Sequence, residues 1–320
     1  MVLEAIYVCR HGYRSNWVVD STTGSYSSMI RTPTGIAADP ALASYGVDQA
    51  NRLAEEIQRL EPPPDLLYSS PFYRCLQTLE PAAKALFERG KGEGVVRVEN
   101  GLGEWYGTAH FTHPSPAPYD TLTTHFPSLL PSPRPPYPHP APLLVPSSNG
   151  ESIPTLHARV AYALSRIIAA ADADPAQPKA LLLCTHAATM IASGRVLTGR
   201  RPERWDEEDF RVGTCALSVF KRRGGEREVG EEKGNSEKLE EVGWEGVGVG
   251  GGWDCVRNGD CGFLSGGEER TWFFSNDESF LKNPNTYNDT LNAHFKPAGG
   301  EASSLKSEDD DKPDDKPSRL

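Results

Sequence analysis

Six residues stand out because each lies just past a short apolar stretch. They are Arg10 and His11, then Arg14, Arg74, Glu104 and His186, with Ser70 close to Arg74. Arginine's planar fork bonds phosphate oxygens in pairs and spreads over developing negative charge. A neutral imidazole can attack phosphorus and hold the phosphoryl group covalently. A carboxylic acid can protonate a leaving oxygen and then serve as base toward water. Together these types suit a phosphate monoester, with fixed donors supplying most of the stabilisation. That chemistry calls for no metal and no other cofactor. No ligand cluster at metal-binding spacing is visible, because Cys255 and Cys261 have neither a second pair nor His ligands nearby.

The elements that must position these groups follow from periodicity. Leu3 to Cys9 is short, apolar and rich in strand formers, and runs into Arg10-His11-Gly12. Gly46 to Leu60 has helical spacing, with Val47, Ala50, Leu53, Ala54, Ile57 and Leu60 on one face. Asp65 to Ser69 reads as a strand. Pro71 suits the first turn of the next helix, which Pro81 should end or kink. Val95 to Glu99 is a third strand, Thr155 to Ala171 a helix, and Ala180 to Cys184 and Cys215 to Phe220 further strands. Alternating apolar strands and helices predict an α/β fold: three layers, with a mostly parallel central sheet between helices. In such sheets ligands bind beyond the carboxyl ends of the strands. The candidate residues all fall there.

Composition narrows the classes. The chain has 320 residues, 38% of them hydrophobic, with 30 Gly and 27 Pro. These breakers cluster: 12 prolines lie between Pro114 and Pro146, and 10 glycines between Gly224 and Gly252. The remainder has ordinary globular composition. The net charge of -11 argues against direct nucleic-acid binding. No apolar run approaches the ~20 residues of a membrane span, and no secretory signal is visible. A cytoplasmic or nuclear protein with reduced cysteines is the expectation.

Longer motifs carry a resemblance. Arg10-His11-Gly12, the segment Leu42 to Ala50 (LASYGVDQA), Ser70 to Thr78 (SPFYRCLQT), Gly103-Glu104-Trp105, Gly150-Glu151-Ser152 and Thr185-His186 occur in that order. The chain resembles the histidine phosphatase superfamily, also called phosphoglycerate mutase-like, over residues 1–220 apart from insertions. The resemblance implies a phosphoglycerate mutase-like fold, His11 as nucleophile, Glu104 as proton donor, and Arg10, Arg14, Arg74 and His186 as phosphate ligands. Asn16 and Ser70 are candidate substrate contacts. By residue type alone, Glu93, Glu99 and Glu151 compete with Glu104 for the acid's place. Tyr13 and Arg14 after the glycine, and Ala187 after the second histidine, depart from the mutase pattern.

Three stretches resemble a fungal branch in particular: Ile6 to Trp17, Gly101 to Tyr106, and Asn258 to Phe274. That branch includes the histidine-phosphatase-like tau subunit of the RNA polymerase III factor TFIIIC. It implies either a phosphatase acting on a phosphorylated small molecule or phosphoprotein, or a scaffold whose partners are TFIIIC subunits.

The expected organisation is a domain over 1–222 with a Pro-rich insert at 107–149, then a Gly- and charge-rich loop at 223–252. An extension at 253–280 should pack back on the domain, and 281–320 should form a disordered acidic tail. The insert is expected to be extended or partly disordered, with its ends shaping the pocket. His110, His113, His125 and His139 are then solvated loop residues, and His157 a helix residue used in packing or on the surface.

Overall fold

The chain's computed structural model describes residues 3–135, 143–224 and 242–275. The acidic tail, most of the Gly-rich loop, and His139 within the insert lie outside the described residues.

Strand β1 (Ala5–Arg10) is buried along nearly its whole length, as its continuous apolar sequence requires. It pairs in parallel with β6 (Ala180–Thr185), in a register that sets Arg10 opposite Thr185. Beyond β6 lie β4 (Leu66–Ser69) and β5 (Val96–Val98), both parallel. On the other side of β1, β7 (Leu217–Arg222) and then β8 (Trp253–Asp260) run antiparallel. The resulting order is β5-β4-β6-β1-β7-β8. Helices α1 (Ser44–Ile57) and α2 (Tyr73–Glu88) pack together, as do α4 (Ile153–Ala173) and α5 (Ala187–Thr198). The three layers are helix pair, mostly parallel sheet, helix pair.

Several expectations change. Val47 is not on the core face of α1; it is 38% exposed, while Ala50, Leu53, Ala54 and Ile57 are buried. Pro71 precedes α2 rather than entering it, because Phe72 stands at the cap. Pro81 does not end α2, which continues to Glu88. Burial of Leu79, Ala82, Ala83 and Leu86 on both sides of the proline outweighs its cost of roughly 3 kcal/mol.

A hairpin of β2 (Trp17–Asp20) and β3 (Ser25–Ser28) has no counterpart in the sequence reading. Its strands are short and half polar. It is held by tertiary packing of Trp17, Val19 and Tyr26 against Phe72, Tyr106 and Phe111. The insert, too, is more than an extended spacer. Helix α3 (Tyr119–His125) lies within it, and Leu122, Phe126, Leu129 and Leu130 are buried in the main core. Leu129 O accepts from Val96 N, so the insert covers part of the β5 edge.

Candidate functional site

Arg10 and His11 close β1, Arg74 stands in the first turn of α2, and His186 caps α5 directly after β6. Glu104 follows a 3-10 turn, Asn100–Leu102, just after β5. All four segments therefore reach the carboxyl edge of the sheet.

The loops are pinned by polar side chains from α1 and α2. Gly12 N donates to Thr78 Oγ1 at 3.0 Å and Tyr13 N to Gln49 Oε1 at 2.9 Å. Leu42 N donates to Gln77 Oε1 at 2.8 Å. The glutamines and threonine of the sequence motifs thus hold backbone. The Glu104 segment is gripped by Thr185 Oγ1 on Leu102 O at 2.6 Å and Thr189 Oγ1 on Gly103 O at 2.8 Å. Arg159, fully buried and paired with Glu151, donates to Gly101 O at 2.8 Å.

His11 is 3% exposed. Its Nδ1 lies 2.8 Å from Gly12 O, and a carbonyl can only accept. Nδ1 therefore carries the proton and Nε2 the lone pair. Burial, reinforced by the positive charges of Arg74, His186 and Arg10, holds its pKa well below the ordinary histidine value. The His11 and His186 rings meet edge-on at 5.3 Å.

Arg74 is fully buried. Its Nη1 donates to Ala38 O at 3.0 Å and Asp39 Oδ1 at 3.2 Å. Its Nη2 donates to Glu104 Oε2 at 2.9 Å. Burial works against its charge, but Glu104 and Asp39 outweigh it and raise the pKa. His186 Nδ1 is 3.2 Å from Glu104 Oε2, and Nε2 is 2.7 Å from Ser70 Oγ. Burial disfavours the imidazolium, yet Cys75 and Glu104 hold its pKa above the ordinary value. Burial alone would push Glu104 up; His186 and Arg74 instead bring its carboxyl well below the usual range.

Arg10 Nη1 donates to the carbonyls of Val212 and Arg270, both at 2.6 Å. Arg14 donates to Ser15 O at 3.0 Å and lies over the Trp17 ring at 5.6 Å. Desolvation first, then the neighbouring Arg74, pushes the pKa of Arg14 down to about 10. Arg10 is likewise pushed down to about 10, chiefly by burial.

The structure brings together His11, Arg74, Glu104 and His186, with Arg10 and Arg14 close enough for their charges to act on His11. The other carboxylates are engaged elsewhere: Glu93 with Arg97, Glu99 with Gly101 N and Leu143 N, Glu151 with Arg159. Ser70 is buried and its hydroxyl is taken up by His186. Asn16 is half-buried beside β2, and its Oδ1 has no partner among the described residues. Sequence reasoning missed Asp39, the buried counter-charge of Arg74, and Tyr106, whose buried hydroxyl has no partner among the described residues. Neither lies at a strand end, so position alone gave no signal.

His11, Glu104 and His186 also present ligand atoms within 4.8 Å of one another, a donor set that could hold a metal ion. The three residues are far apart in sequence, which hid the cluster. The guanidinium of Arg74 opposes a cation there.

Beside Glu104 opens a cavity of about 40 Å³, walled by Phe72, Tyr106, His113, Pro116, Val145 and Pro146. Both feet of the insert thus line it. His113 is not a solvated loop residue: it is 3% exposed, stacks on Tyr106 at 4.8 Å, and meets Tyr26 OH at 2.6 Å.

A mostly parallel α/β sheet thus carries two histidines, three arginines and a carboxylate at its carboxyl edge, groups of the types that bond oxyanions. The model of the histidine phosphatase superfamily (branch 1) matches residues 6–232, and the chain belongs to that family. Its fold is phosphoglycerate mutase-like. The transcription factor tau 55 kDa subunit of Saccharomyces cerevisiae is 32% identical over 279 residues, 86% of this chain and 59% of that protein. An ecdysteroid-phosphate phosphatase of Drosophila melanogaster is 32% identical over 122 residues, 31% of this chain and 15% of the enzyme. The chain thus spans less than two thirds of either relative. Among solved structures, an ecdysone phosphate phosphatase from Bombix mori in complex with tungstate has a TM-score of 0.46 at 18% identity, covering 69% of this chain and 89% of that one.

Proposed function

We propose that this chain hydrolyses phosphate monoesters through a phosphohistidine on His11. The observation that carries the reading is the state of His11: neutral, and turned by Gly12 O so that Nε2 is the nucleophile, inside a ring of cationic groups. Nε2 attacks phosphorus as the ester P–O bond breaks. Arg10, Arg14, Arg74 and His186 bear the charge on the phosphoryl oxygens. Glu104 gives its proton to the leaving oxygen. Water then attacks phosphorus as the N–P bond breaks, and Glu104 takes the water's proton.

Glu104 is ionised in the free site. A bound phosphate dianion competes for Arg74 and His186 and adds its own negative charge. Both effects raise the carboxyl pKa toward that of a proton donor. The test is turnover of p-nitrophenyl phosphate and a broad phosphate-ester panel by wild type and His11→Ala, with acid-free trapping of the phosphohistidine. Absence of any His11-dependent turnover on the panel would sink the reading.

A second reading rests on the 32% identity to the yeast tau subunit over 86% of this chain. In it the chain is a nuclear, TFIIIC-type subunit whose pocket is auxiliary to assembly. Affinity purification from the native host decides it. Failure to recover TFIIIC subunits counts against this reading and leaves the first untouched.

A further inference from the structure

The contacts of Arg10 link the pocket to the far end of the described chain. Its Nη1 is taken by two carbonyls, Val212 O and Arg270 O, each at 2.6 Å. Its Nε has no partner among the described residues. The pair of carbonyls therefore fixes the guanidinium by one nitrogen. The described residues make no hydrogen bond to the Nε–Nη2 edge, the edge that meets an oxyanion with two parallel bonds.

Arg270 itself has an unusual backbone. Its φ is +53°, a left-handed conformation that costs a non-glycine residue about 1 kcal/mol or more. The strap that carries it is tied on both sides. Glu269 O accepts from Thr214 N at 2.9 Å, and the Arg270 guanidinium lies over the Tyr13 ring at 5.0 Å. Farther on, Phe274 is fully buried against Trp105, the neighbour of Glu104, at 5.4 Å. An exposed connector would need none of these anchors. Together they hold one carbonyl on one pocket arginine.

We propose that Arg270 is a positioning residue for phosphate binding: its main-chain carbonyl, with that of Val212, orients Arg10 toward the oxyanion. The inference rests on the reading of the pocket as a phosphate site. The side chain of Arg270 is secondary and its backbone conformation is the active feature. Glycine at this position keeps the carbonyl in place, since it adopts positive φ without strain. Proline forces φ to about −65° and turns the carbonyl away.

The experiment is orthovanadate affinity of the full chain, measured by calorimetry for wild type, Arg270→Gly, Arg270→Pro, Arg10→Ala and Arg10→Ala/Arg270→Pro. Near-ultraviolet circular dichroism checks that each variant is folded. Arg270→Pro should bind about tenfold more weakly than Arg270→Gly, which loses the same side chain but keeps the carbonyl, the worth of a hydrogen bond to a charged group. In the Arg10→Ala background Arg270→Pro should cost nothing further, which a general loss of packing would not reproduce. Equal losses in both backgrounds, or unchanged affinity in Arg270→Pro, overturn the inference while leaving the phosphatase reading intact. If Arg270→Pro does not fold, the cycle is run with Val212→Pro, which perturbs the second carbonyl on Arg10, and is read the same way. A wild-type chain that binds no oxyanion overturns both readings.

Discussion

Arg74 Nη2 lies 2.9 Å from Glu104 Oε2, so the proposed proton donor and the buried arginine proposed to bind phosphate are salt-bridged to each other in the free site. The pair explains two things at once. Each group compensates the other's burial, so neither is left as an isolated charge. In the proposed reaction the bridge keeps the Glu104 carboxylate ionised until an anion claims Arg74.

Glu104→Gln keeps a hydrogen-bond acceptor for Arg74 but carries no acidic proton. Hydrolysis of alkyl phosphates, whose leaving oxygen needs that proton, should fall by about 10²–10⁴. Turnover of p-nitrophenyl phosphate, with its better leaving group, should fall much less. Steady-state rates on both substrates check this, and equal losses would remove Glu104 from the acid role.

The acid limb of phosphohistidine formation should lie well below pH 6.5. Burial, then Arg74 and His186, disfavour protonation of His11. A group with a depressed basic pKa loses its lone pair only when the pH falls through that lower value. The burst rate at pH 5.5 should remain within about twofold of that at pH 7. Loss with a midpoint near 6.5 would mean His11 is not held neutral.

His157 should make stability depend on pH. Its Nδ1 bonds Ile153 O at 2.8 Å, its ring packs on Trp205 and Trp244, and burial pushes its pKa down to about 4. The unfolded chain takes up this proton near 6.5, so between those values it binds more protons than the folded chain. The contribution is therefore complete above about pH 6.5 and declines as pH falls, by about 3 kcal/mol on reaching pH 4. Urea midpoints of wild type and His157→Gln between pH 7 and 4.5 measure it. Parallel profiles would contradict the assignment.

Gly46→Ala should destabilise the fold and disturb the His11 loop together. A Cβ at Gly46 would overlap Tyr13 O, a backbone atom that no side-chain rotation can move away. Relief requires α1 or the loop after β1 to move, at about 1–3 kcal/mol. Thermal melts together with vanadate affinity report both effects. An unchanged variant would show that the two segments are not in rigid contact.

The core of the site was legible because its residues follow strands whose apolar runs are local signals. Arg10, His11, Arg74, Glu104 and His186 all lie at the end of one of those strands or follow closely on it. The hairpin at Trp17–Asp20 and Ser25–Ser28 was not, since its stability comes from aromatic partners such as Tyr106, which lies far along the chain. The burial of His113 departs from its sequence expectation for a related reason. A proline-rich neighbourhood argues for exposure, but Tyr26 and Tyr106 enclose the ring.

The sequence by itself determined the α/β alternation, the family motifs and which residue types reach the carboxyl edge. Short-range periodicity and turn chemistry are written in neighbouring residues. Only the tertiary structure decided which carboxylate meets Arg74, which nitrogen of His11 is free, and that Arg10 is held from a residue 260 positions away. Those outcomes depend on distances between segments that share no local pattern. Burial then fixes their charge states, because a desolvated group keeps its charge only where an opposite charge or a hydrogen bond meets it.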